Sequence, residues 1–335
     1  MRPFALIRPT TLAAARERAL GDPAARPYRA AGVDLLDLMK EGLAAPAELI
    51  ELASIAGADG QRLRALEATA AGLDLGALVT LAQLEAAPAL APGHAALREA
   101  AASAATPSVR GVATLGGNLL QRPRCWYYRH HDLACLKKAG PRCLAEGGEN
   151  RYHAILGGGP CHIVHPSTLA VALVALEATV AVHGDAGPRT LPIERLFVLP
   201  QTNIAAEHAL APGELLLGVA VPAPAPGQRS VYEVAKEKLS HDWPLGEVVV
   251  SLALDGGIIR GARVVLGHVA PVPWRATALE DALAGQPASA DLFARLAPLA
   301  TQGARPMSQN AYKIPLVHGL VRAALHRACE IPVPE

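Results

Sequence analysis

The chain has 335 residues, of which 51% are hydrophobic and 18% charged, and its formal net charge is +1. This length is enough for roughly two domains, each with a core of its own. Because positive and negative charges nearly balance, nothing in the composition favours nucleic acid as a partner, and no apolar run reaches the roughly 18 residues of a membrane span.

The first half of the chain alternates segments typical of strands and helices. Residues 4–7 predict a strand, and a helix that begins at Thr10 or Thr11 runs through residue 20, before a turn near Gly32. Residues 49–52 and 73–78 predict two further strands. Thr80 and Gln83 have the capping-box spacing that begins the next helix. This half is therefore predicted to be an α/β unit.

From residue 121 to residue 166 the pattern becomes irregular, in a stretch too long for a plain connection. Regular structure resumes with a helix at 167–177 and strands at 179–183 and 215–221. Residues 222–227, which alternate proline with alanine before a glycine, read as a linker.

After the linker, strands are predicted at 230–236, 247–254 and 258–268, with a hairpin turn at Asp255-Gly256-Gly257. Helices are predicted at 276–284, 291–299 and 311–328. A small antiparallel sheet with helices packed against it is the natural second domain. We therefore expect one domain at 1–222, with a cysteine-rich insertion at about 121–163, and a second at 228–330.

Two glycine-containing segments, residues 30–36 and 113–119, lie beside apolar runs. Backbone amides exposed at such a turn or helix start suit a phosphate or pyrophosphate, because no bulky side chain blocks them. Taken alone, each segment is a weak signal, and an ordinary tight turn is the favoured interpretation.

Four of the five cysteines, Cys125, Cys135, Cys143 and Cys161, form a C-x9-C-x7-C-x17-C series within the irregular stretch. A shared metal centre would neutralise four thiolates and fold the segment. The close C-x2-4-C pairs of structural zinc are absent, and a larger cluster spans wider spacings, although zinc and free buried thiols both remain alternatives. Six nearby cations are expected to offset the negative charge: Arg122, Arg124, Arg129, Lys137, Lys138 and Arg142.

Three other features have simpler interpretations. His130, His131 and Asp132 are consecutive, so their side chains are expected to diverge in a solvated loop rather than bind a metal. Cys329 lies alone in the last predicted helix and reads as a packing residue. The aromatic residues 126–128 are expected to shield the metal centre.

Several motifs, in this order, resemble the FAD-binding subunit of the xanthine dehydrogenase and carbon monoxide dehydrogenase family. They are Ala31-Gly32-Val33-Asp34-Leu35-Leu36, Thr114-Leu115-Gly116-Gly117-Asn118, His165-Pro166-Ser167, Pro212-Gly213-Glu214-Leu215-Leu216, the segment 267–275 and the segment 310–316. The match covers nearly the whole chain. The segment from Cys135 to Cys143 is similar to the insertion that holds a [4Fe–4S] cluster in the flavin subunits of periplasmic aldehyde oxidoreductase and 4-hydroxybenzoyl-CoA reductase.

This resemblance implies an α+β fold, in which a two-lobed FAD-binding domain of the PCMH type is followed by a small C-terminal domain. It implies an oxidoreductase subunit that carries FAD and a [4Fe–4S] cluster. Electrons would pass between iron–sulfur centres and an external acceptor through FAD. The implied partners are a small [2Fe–2S] subunit and a large molybdenum-cofactor subunit, where the substrate reacts.

The resemblance also assigns residues. The amides of Ala31, Gly32, Val33, Asp34 and Leu35, with those of Gly116 and Gly117, would hold the FAD diphosphate, supported by Thr114 and Asn118. Thr168 and Leu216 would lie beside the flavin. Cys125, Cys135, Cys143 and Cys161 would bind the cluster, and no residue of this chain is expected to turn over the organic substrate.

Three residues depart from the family pattern. Ala31 replaces a glycine, Val33 replaces a threonine, and Thr168 replaces an aspartate that faces the flavin. These changes motivate an alternative, in which the chain has lost FAD and serves as a cluster-bearing conduit or scaffold. A stand-alone FAD oxidoreductase with a zinc-bound segment is a further alternative. The N-terminus has no signal-peptide pattern, which predicts a cytoplasmic location, with export on a signal-bearing partner as the alternative.

Overall fold

The computed structural model describes residues 1–88, 90, 92–238 and 241–333. The described strands form three sheets. The strands are β1 Ala5–Ile7, β2 Tyr28–Arg29, β3 Glu48–Glu51, β4 Leu66–Thr69, β5 Gly72–Gly76, β6 Thr179–Gly184, β7 Gly187–Pro192, β8 Leu215–Pro222, β9 Gln228–Lys236, β10 Pro244–Asp255, β11 Ile258–Gly267 and β12 Trp274–Arg275.

Helices connect and cover these strands. The α-helices are α1 Leu12–Ala19, α2 Val33–Lys40, α3 Gly57–Arg64, α4 Leu81–Ala86, α5 Ala95–Ser103, α6 Pro107–Arg110, α7 Leu115–Leu119, α8 Trp126–Arg129, α9 Thr168–Ala175, α10 Thr277–Leu283, α11 Ala290–Leu296 and α12 Lys313–Ala328. None of the described helices is long and apolar enough to cross a membrane.

The first sheet is small and parallel, in the order β1-β3-β2. Parallel neighbours need a crossover connection, and α1 lies in the connection that leaves β1. Thr11 begins this helix, because its Oγ1 accepts a hydrogen bond from the amide of Ala14 at 3.2 Å. The segment from Ala30 to Gly32 follows β2 directly and leads into α2. The first glycine loop therefore lies at the carboxyl end of a parallel strand, where ligands bind in open α/β sheets.

The second sheet is antiparallel, in the order β4-β5-β8-β6-β7. The capping box predicted for α4 is present, with the Thr80 side chain accepting from the amide of Gln83 and the Gln83 side chain accepting from the amide of Thr80. Helix α9 is buried along its whole length, since it packs against α5 and α7 on one side and against β10 and β11 on the other. It thus joins the two halves of the molecule.

The third sheet is antiparallel, in the order β12-β11-β10-β9, and α12 packs against β9 and β10. Gly256 and Gly257 connect β10 to β11 with φ values of 55° and 80°, which glycine adopts without strain. The predicted hairpin is therefore confirmed. A second apolar core fills the space between this sheet and the helices α10, α11 and α12.

Most of the predicted elements are present within a few residues, and the segment between α7 and α9 is irregular as expected, with only α8 and one 3-10 turn at Leu136–Lys138. Two differences matter. Gly32 was assigned to a turn, but it is the N-cap of α2. The strand expected at 73–78 ends at Gly76.

Candidate functional site

The first glycine loop ends in a helix start with free donors. Gly32 is the N-cap of α2 with a φ of 80°, and no side chain caps this helix. The amides of Val33, Asp34 and Leu35 therefore have no acceptor among the described residues. A Cβ on Gly32 would lie 3.0 Å from Nε of Arg29, so the guanidinium of Arg29 packs beneath the loop. Because Arg29 is itself paired with Glu51, the unpaired amides at the helix start, rather than a free cation, form a site that fits a diphosphate.

The second glycine loop has a different arrangement. The amide of Gly116 donates to the carbonyl of Ala77 at 2.9 Å, and the amide of Gly117 donates to Oγ1 of Thr114 at 3.2 Å. A Cβ on Gly116 would lie 3.0 Å from the Cβ of Ala77, so glycine is needed there for close packing. Both amides already have acceptors within the chain, and any ligand contact would compete with these hydrogen bonds.

Asn118, Thr168 and Leu216 lie near this second loop, because α7 packs against α9 and β8. Asn118 accepts a hydrogen bond from the hydroxyl of Ser167 at 2.6 Å, and Ser167 caps α9. Thr168 is 5% exposed and Leu216 is 2% exposed. A flavin ring would therefore reach these two side chains only after their neighbours move.

Asp34 connects the first loop to the cysteine segment. Its carboxylate accepts from the backbone amide of Arg122 at 2.8 Å and contacts the guanidinium groups of Arg124 at 3.0 Å and Arg129 at 2.6 Å. On the same helix, Leu38 packs in a small apolar cluster with Tyr128 and Cys135. Helix α2 thus presents its amino end to the first loop and its side chains to the cysteine segment.

The four clustered cysteines surround one small cavity. Its lining includes Cys125, Cys135, Cys143 and Cys161, together with Tyr127, Tyr128, Leu136, Lys137, Leu144 and Ile163. Cys329 lies elsewhere, at the C-cap of α12, and packs at the edge of the C-terminal core. The structure therefore brings together the four sulfur atoms that the sequence grouped and separates the fifth.

The sulfur atoms of the four cysteines are not packed as one compact group. Among the described residues, no three cysteines have sulfur atoms that all lie within 4.8 Å of one another. Tetrahedral zinc with bonds of about 2.3 Å would hold its sulfur ligands about 3.8 Å apart. At the same time Cys143 and Cys161 are hydrogen-bonded, so the four thiols accommodate either zinc or a polynuclear cluster.

Burial dominates the chemistry of these thiols. It raises the pKa of Cys125 to about 11. A hydrogen bond between the side chains of Cys143 and Cys161 lowers the pKa of Cys143 and raises that of Cys161. Four thiolates so close together and largely shielded from water would repel one another without a cation, so the group fits a positively charged centre.

The expected role of the nearby cations needs correction. Arg122 and Lys137 pair with Glu207 at 2.6 and 2.5 Å, and Arg124 and Arg129 pair with Asp34. Asp37 and Glu41 also contact Arg124 and Arg129, so four of the six predicted cations face four carboxylates, because a buried cation needs a partner. They fix the segment rather than supply net positive charge. Of the other two, Arg142 is exposed, and Lys138 donates to the carbonyl of His130.

His153 is a functional candidate that the sequence did not reveal. Its Nε2 lies 3.3 Å from Sγ of Cys125, and the residue is 4% exposed. Burial lowers the pKa of His153 to about 4, so the ring is neutral at physiological pH. No spacing signal marks this residue, since 28 positions separate it from Cys125.

A second correction concerns His130, His131 and Asp132. Their side chains were expected to diverge, but the two imidazole rings stack with centroids 5.5 Å apart, and the ligand atoms of all three lie within 4.8 Å of one another. A loop backbone brings successive side chains to one side, unlike an extended strand. All three are exposed, in agreement with the solvated loop that the sequence indicated.

Comparison with known proteins identifies the class. Residues 2–224 match the model described as the FAD binding domain in molybdopterin dehydrogenase, and residues 230–328 match the CO dehydrogenase flavoprotein C-terminal domain. Together they define an oxidoreductase subunit with an FAD-binding domain. The chain belongs to the family of FAD-binding medium subunits of the xanthine dehydrogenase and CO dehydrogenase type.

Two curated relatives are similar over nearly their whole length. The aldehyde oxidoreductase FAD-binding subunit PaoB of Escherichia coli (strain K12) is 34% identical, over 98% of this chain and 99% of that protein. The carbon monoxide dehydrogenase medium chain of Hydrogenophaga pseudoflava is 24% identical, over 89% of this chain and 88% of that protein. The resemblance stated from the motifs is thereby confirmed.

Solved structures share the fold. Carbon monoxide dehydrogenase from Hydrogenophaga pseudoflava matches with a TM-score of 0.74 and 25% identity over 99% of both chains. Quinoline 2-oxidoreductase from Pseudomonas putida 86 matches with a TM-score of 0.74 and 23% identity over 98% of both chains. These matches confirm the predicted mixed α and β fold with a C-terminal antiparallel sheet.

Proposed function

We propose that this chain carries FAD and one [4Fe–4S] cluster and relays electrons between iron–sulfur centres and an external acceptor. The observation that carries the proposal is the cavity lined by all four clustered cysteines, which Asp34 joins to the uncapped start of α2. A flavin site and a metal site are thus connected through one carboxylate.

The first loop would bind the FAD diphosphate. The amides of Val33, Asp34 and Leu35 donate, the left-handed backbone of Gly32 aims them, and the guanidinium of Arg29 lies behind them. Gly116 and Gly117 would permit a close approach of the cofactor without donating, since their amides are engaged. When bound, FAD exchanges electrons singly or in pairs, which suits a relay between iron–sulfur centres and an acceptor.

The four cysteines would bind the cluster through thiolates. Three of them are buried and Cys125 is half-buried. Tyr127, Tyr128 and Leu144 contribute apolar surface to the lining, which lowers the local dielectric. The wide spacing of the cysteines in the sequence, without the close C-x2-4-C pairs of structural zinc, favours this centre over zinc.

The assembly is also part of the proposal. Two relatives are named medium chains of carbon monoxide dehydrogenase. By the same organisation, a small [2Fe–2S] subunit and a large molybdenum-cofactor subunit would accompany this chain, and substrate would react on the large one. We place the FAD-binding domain at 1–222, with the insertion at about 121–163, and the C-terminal domain at 228–330.

One alternative is supported by a specific observation. The second glycine loop has no free amide at Gly116 or Gly117, and Ala31 and Val33 replace the glycine and threonine of the family pattern. A chain that has lost FAD would serve as a cluster-bearing conduit or scaffold.

Cofactor analysis of anaerobically purified full-length chain tests the proposal. We expect extractable FAD, together with iron and acid-labile sulfide at four each per chain, the composition of one [4Fe–4S] cluster. Replacing any one of Cys125, Cys135, Cys143 and Cys161 with Ser should remove or weaken the cluster, whereas Cys329→Ser should leave it intact. Folded protein that contains iron but does not bind added FAD would support the alternative of an FAD-less, cluster-bearing subunit. Zinc without iron in the purified chain would refute the cluster.

A further inference from the structure

The side chain of His153 makes a contact that the relay proposed above leaves unexplained. Nε2 of His153 lies 3.3 Å from Sγ of Cys125, within hydrogen-bond distance for nitrogen and sulfur. The ring is buried, and its Nδ1 has no hydrogen-bond partner among the described residues. The contact with Cys125 is therefore the one hydrogen bond that meets geometric criteria for this ring among the described residues, and the backbone of Asn150 is a further polar group beside it.

The surroundings hold this ring in place. It packs edge-on against Trp126, with centroids 5.5 Å apart, and lies beside Tyr127 at 6.0 Å. From the C-terminal part of the chain, Nδ2 of Asn310 donates to the carbonyl of His153 at 3.1 Å. Asn310 is itself fully buried. Both the ring and its backbone are thus fixed before any cofactor arrives.

Coordination would decide the direction of the hydrogen bond. A metal-bound cysteine has lost its proton, so its sulfur is only an acceptor. Nε2 must then carry the imidazole proton and donate it to the sulfur. Hydrogen bonds to cluster sulfurs are one of the means by which proteins set reduction potentials.

We propose that His153 is a positioning residue that donates a hydrogen bond to Cys125 and thereby raises the reduction potential of the cluster. Uptake of one electron adds one negative charge to the cluster and its thiolates, and no bond is formed or broken. A donor at the sulfur stabilises that added charge more than it stabilises the oxidised state, so reduction becomes easier. This inference rests on the proposed cluster.

The test is a redox titration of anaerobically prepared full-length chain, with dithionite as reductant and electron paramagnetic resonance as the readout. In His153→Leu the donor is absent, and we expect a lower midpoint potential. His153→Gln, which retains an N–H of similar reach, should restore part of the shift. Iron and sulfide content, measured on every sample, report whether the cluster is present.

A matched control is His94→Leu. His94 is also buried, bonds through Nε2 to the carbonyl of Pro222 at 2.9 Å, and has an unpartnered Nδ1. It does not line the cysteine cavity. Loss of a buried histidine there should leave the potential unchanged.

A second measurement is made on wild-type protein and needs a variant only to assign the signal. In chain labelled with ¹⁵N-histidine, pulsed electron paramagnetic resonance of the reduced cluster should detect coupling to one histidine nitrogen, and His153→Gln should abolish it. A wild-type cluster without this coupling, or an iron-replete His153→Leu with the wild-type potential, would overturn the inference. Absence of iron from wild type would instead refute the proposed cluster.

Discussion

Asp34 and Arg129 form an ion pair at 2.6 Å that joins two parts of the chain 95 residues apart. Asp34 stands in the first turn of α2, directly after the glycine loop, and Arg129 ends α8 beside Cys125. The same carboxylate also holds the amide of Arg122. The geometry of the first loop is therefore fixed by the cysteine segment, and each should stabilise the other.

Asp34→Asn tests this connection. The side-chain amide of asparagine retains an oxygen that accepts from one N–H, but the negative charge that faces two guanidinium groups is lost. We therefore expect the free energy of unfolding to fall by about 1–3 kcal/mol. Flavin and iron should both be retained less well, because the pair holds both sites. Thermal unfolding and cofactor content of the purified variant provide the measurement.

Asp37→Asn is the control, on the same helix. Asp37 contacts Arg124 at 3.6 Å and its side chain is 49% exposed, so its replacement should change stability by less than about 1 kcal/mol. If Asp34→Asn behaved like Asp37→Asn in both cofactor contents, the two sites would be independent of each other.

Much of the fold followed from local pattern. Strands β10 and β11 are apolar runs joined by an Asp-Gly-Gly turn, and the capping box at Thr80 marks the start of α4. In contrast, β7 is mostly exposed at a sheet edge and contains two prolines, so no alternation marks it. Helix α5 is largely alanine, which gives little amphipathic signal in an alanine-rich chain.

The candidate site was only partly predictable. The four cysteines fall within one segment of the sequence, and the structure places them around one cavity. The interactions of Asp34, Glu207 and His153 depend on contacts across 28 to 95 residues, and no local pattern encodes them. The sequence shows the cations near the cysteines but not the distant carboxylates with which they pair. The prediction that these cations offset the charge of a cluster therefore left out their partners.

Gly32→Ala should weaken FAD binding about tenfold, equivalent to about 1.4 kcal/mol. Alanine is strained at a φ of 80°, and its Cβ would lie 3.0 Å from Nε of Arg29, so the loop must shift away from the geometry that aims its amides. Flavin fluorescence titration of the flavin-free chain measures the dissociation constant.

Gly42→Ala provides a matched control just beyond the other end of α2. Gly42 has a similar φ of 76°, but the nearest atom to its Cβ would be Cβ of His131 at 4.0 Å. Both variants carry backbone strain, and only Gly32→Ala should lose flavin affinity. Equal losses in the two would attribute the effect to general destabilisation.

Val33→Thr should strengthen FAD binding. Val33 is 37% exposed at the first position of α2, and threonine would restore the hydroxyl found at this position in the family pattern. One new hydrogen bond contributes about 0.5–1.5 kcal/mol, or about a 2- to 12-fold lower dissociation constant. Val112→Thr, at an exposed site outside both glycine loops, should have no such effect. An unchanged constant in Val33→Thr would place the cofactor away from this residue.

Lys313 should make stability rise with pH in the alkaline range. Its side chain is fully buried, and Nζ donates to the carbonyls of Tyr152 at 3.0 Å and His268 at 2.7 Å. Burial lowers the pKa of Lys313 from 10.5 to about 7. Between these two values the unfolded chain binds a proton that the folded chain lacks, so raising the pH through this window favours the folded state. Below about pH 7 Lys313 is protonated in both the folded and the unfolded chain. The folded state then carries the full free-energy cost of a buried charge, and its stability no longer changes with pH through this group.

Lys313→Met removes the titrating group and leaves two carbonyls without a donor, and it should lower the free energy of unfolding by about 1–3 kcal/mol at pH 9. The distinguishing signal is the difference in free energy of unfolding between wild type and variant, measured by urea denaturation at several pH values from 7 to 10. This difference should grow with pH, because only wild type gains stability from deprotonation of Lys313. The same comparison with Lys40→Met, at an exposed residue that ends α2, should give a difference that does not change with pH. Parallel curves for wild type and Lys313→Met would mean that Lys313 keeps an ordinary pKa in the folded chain.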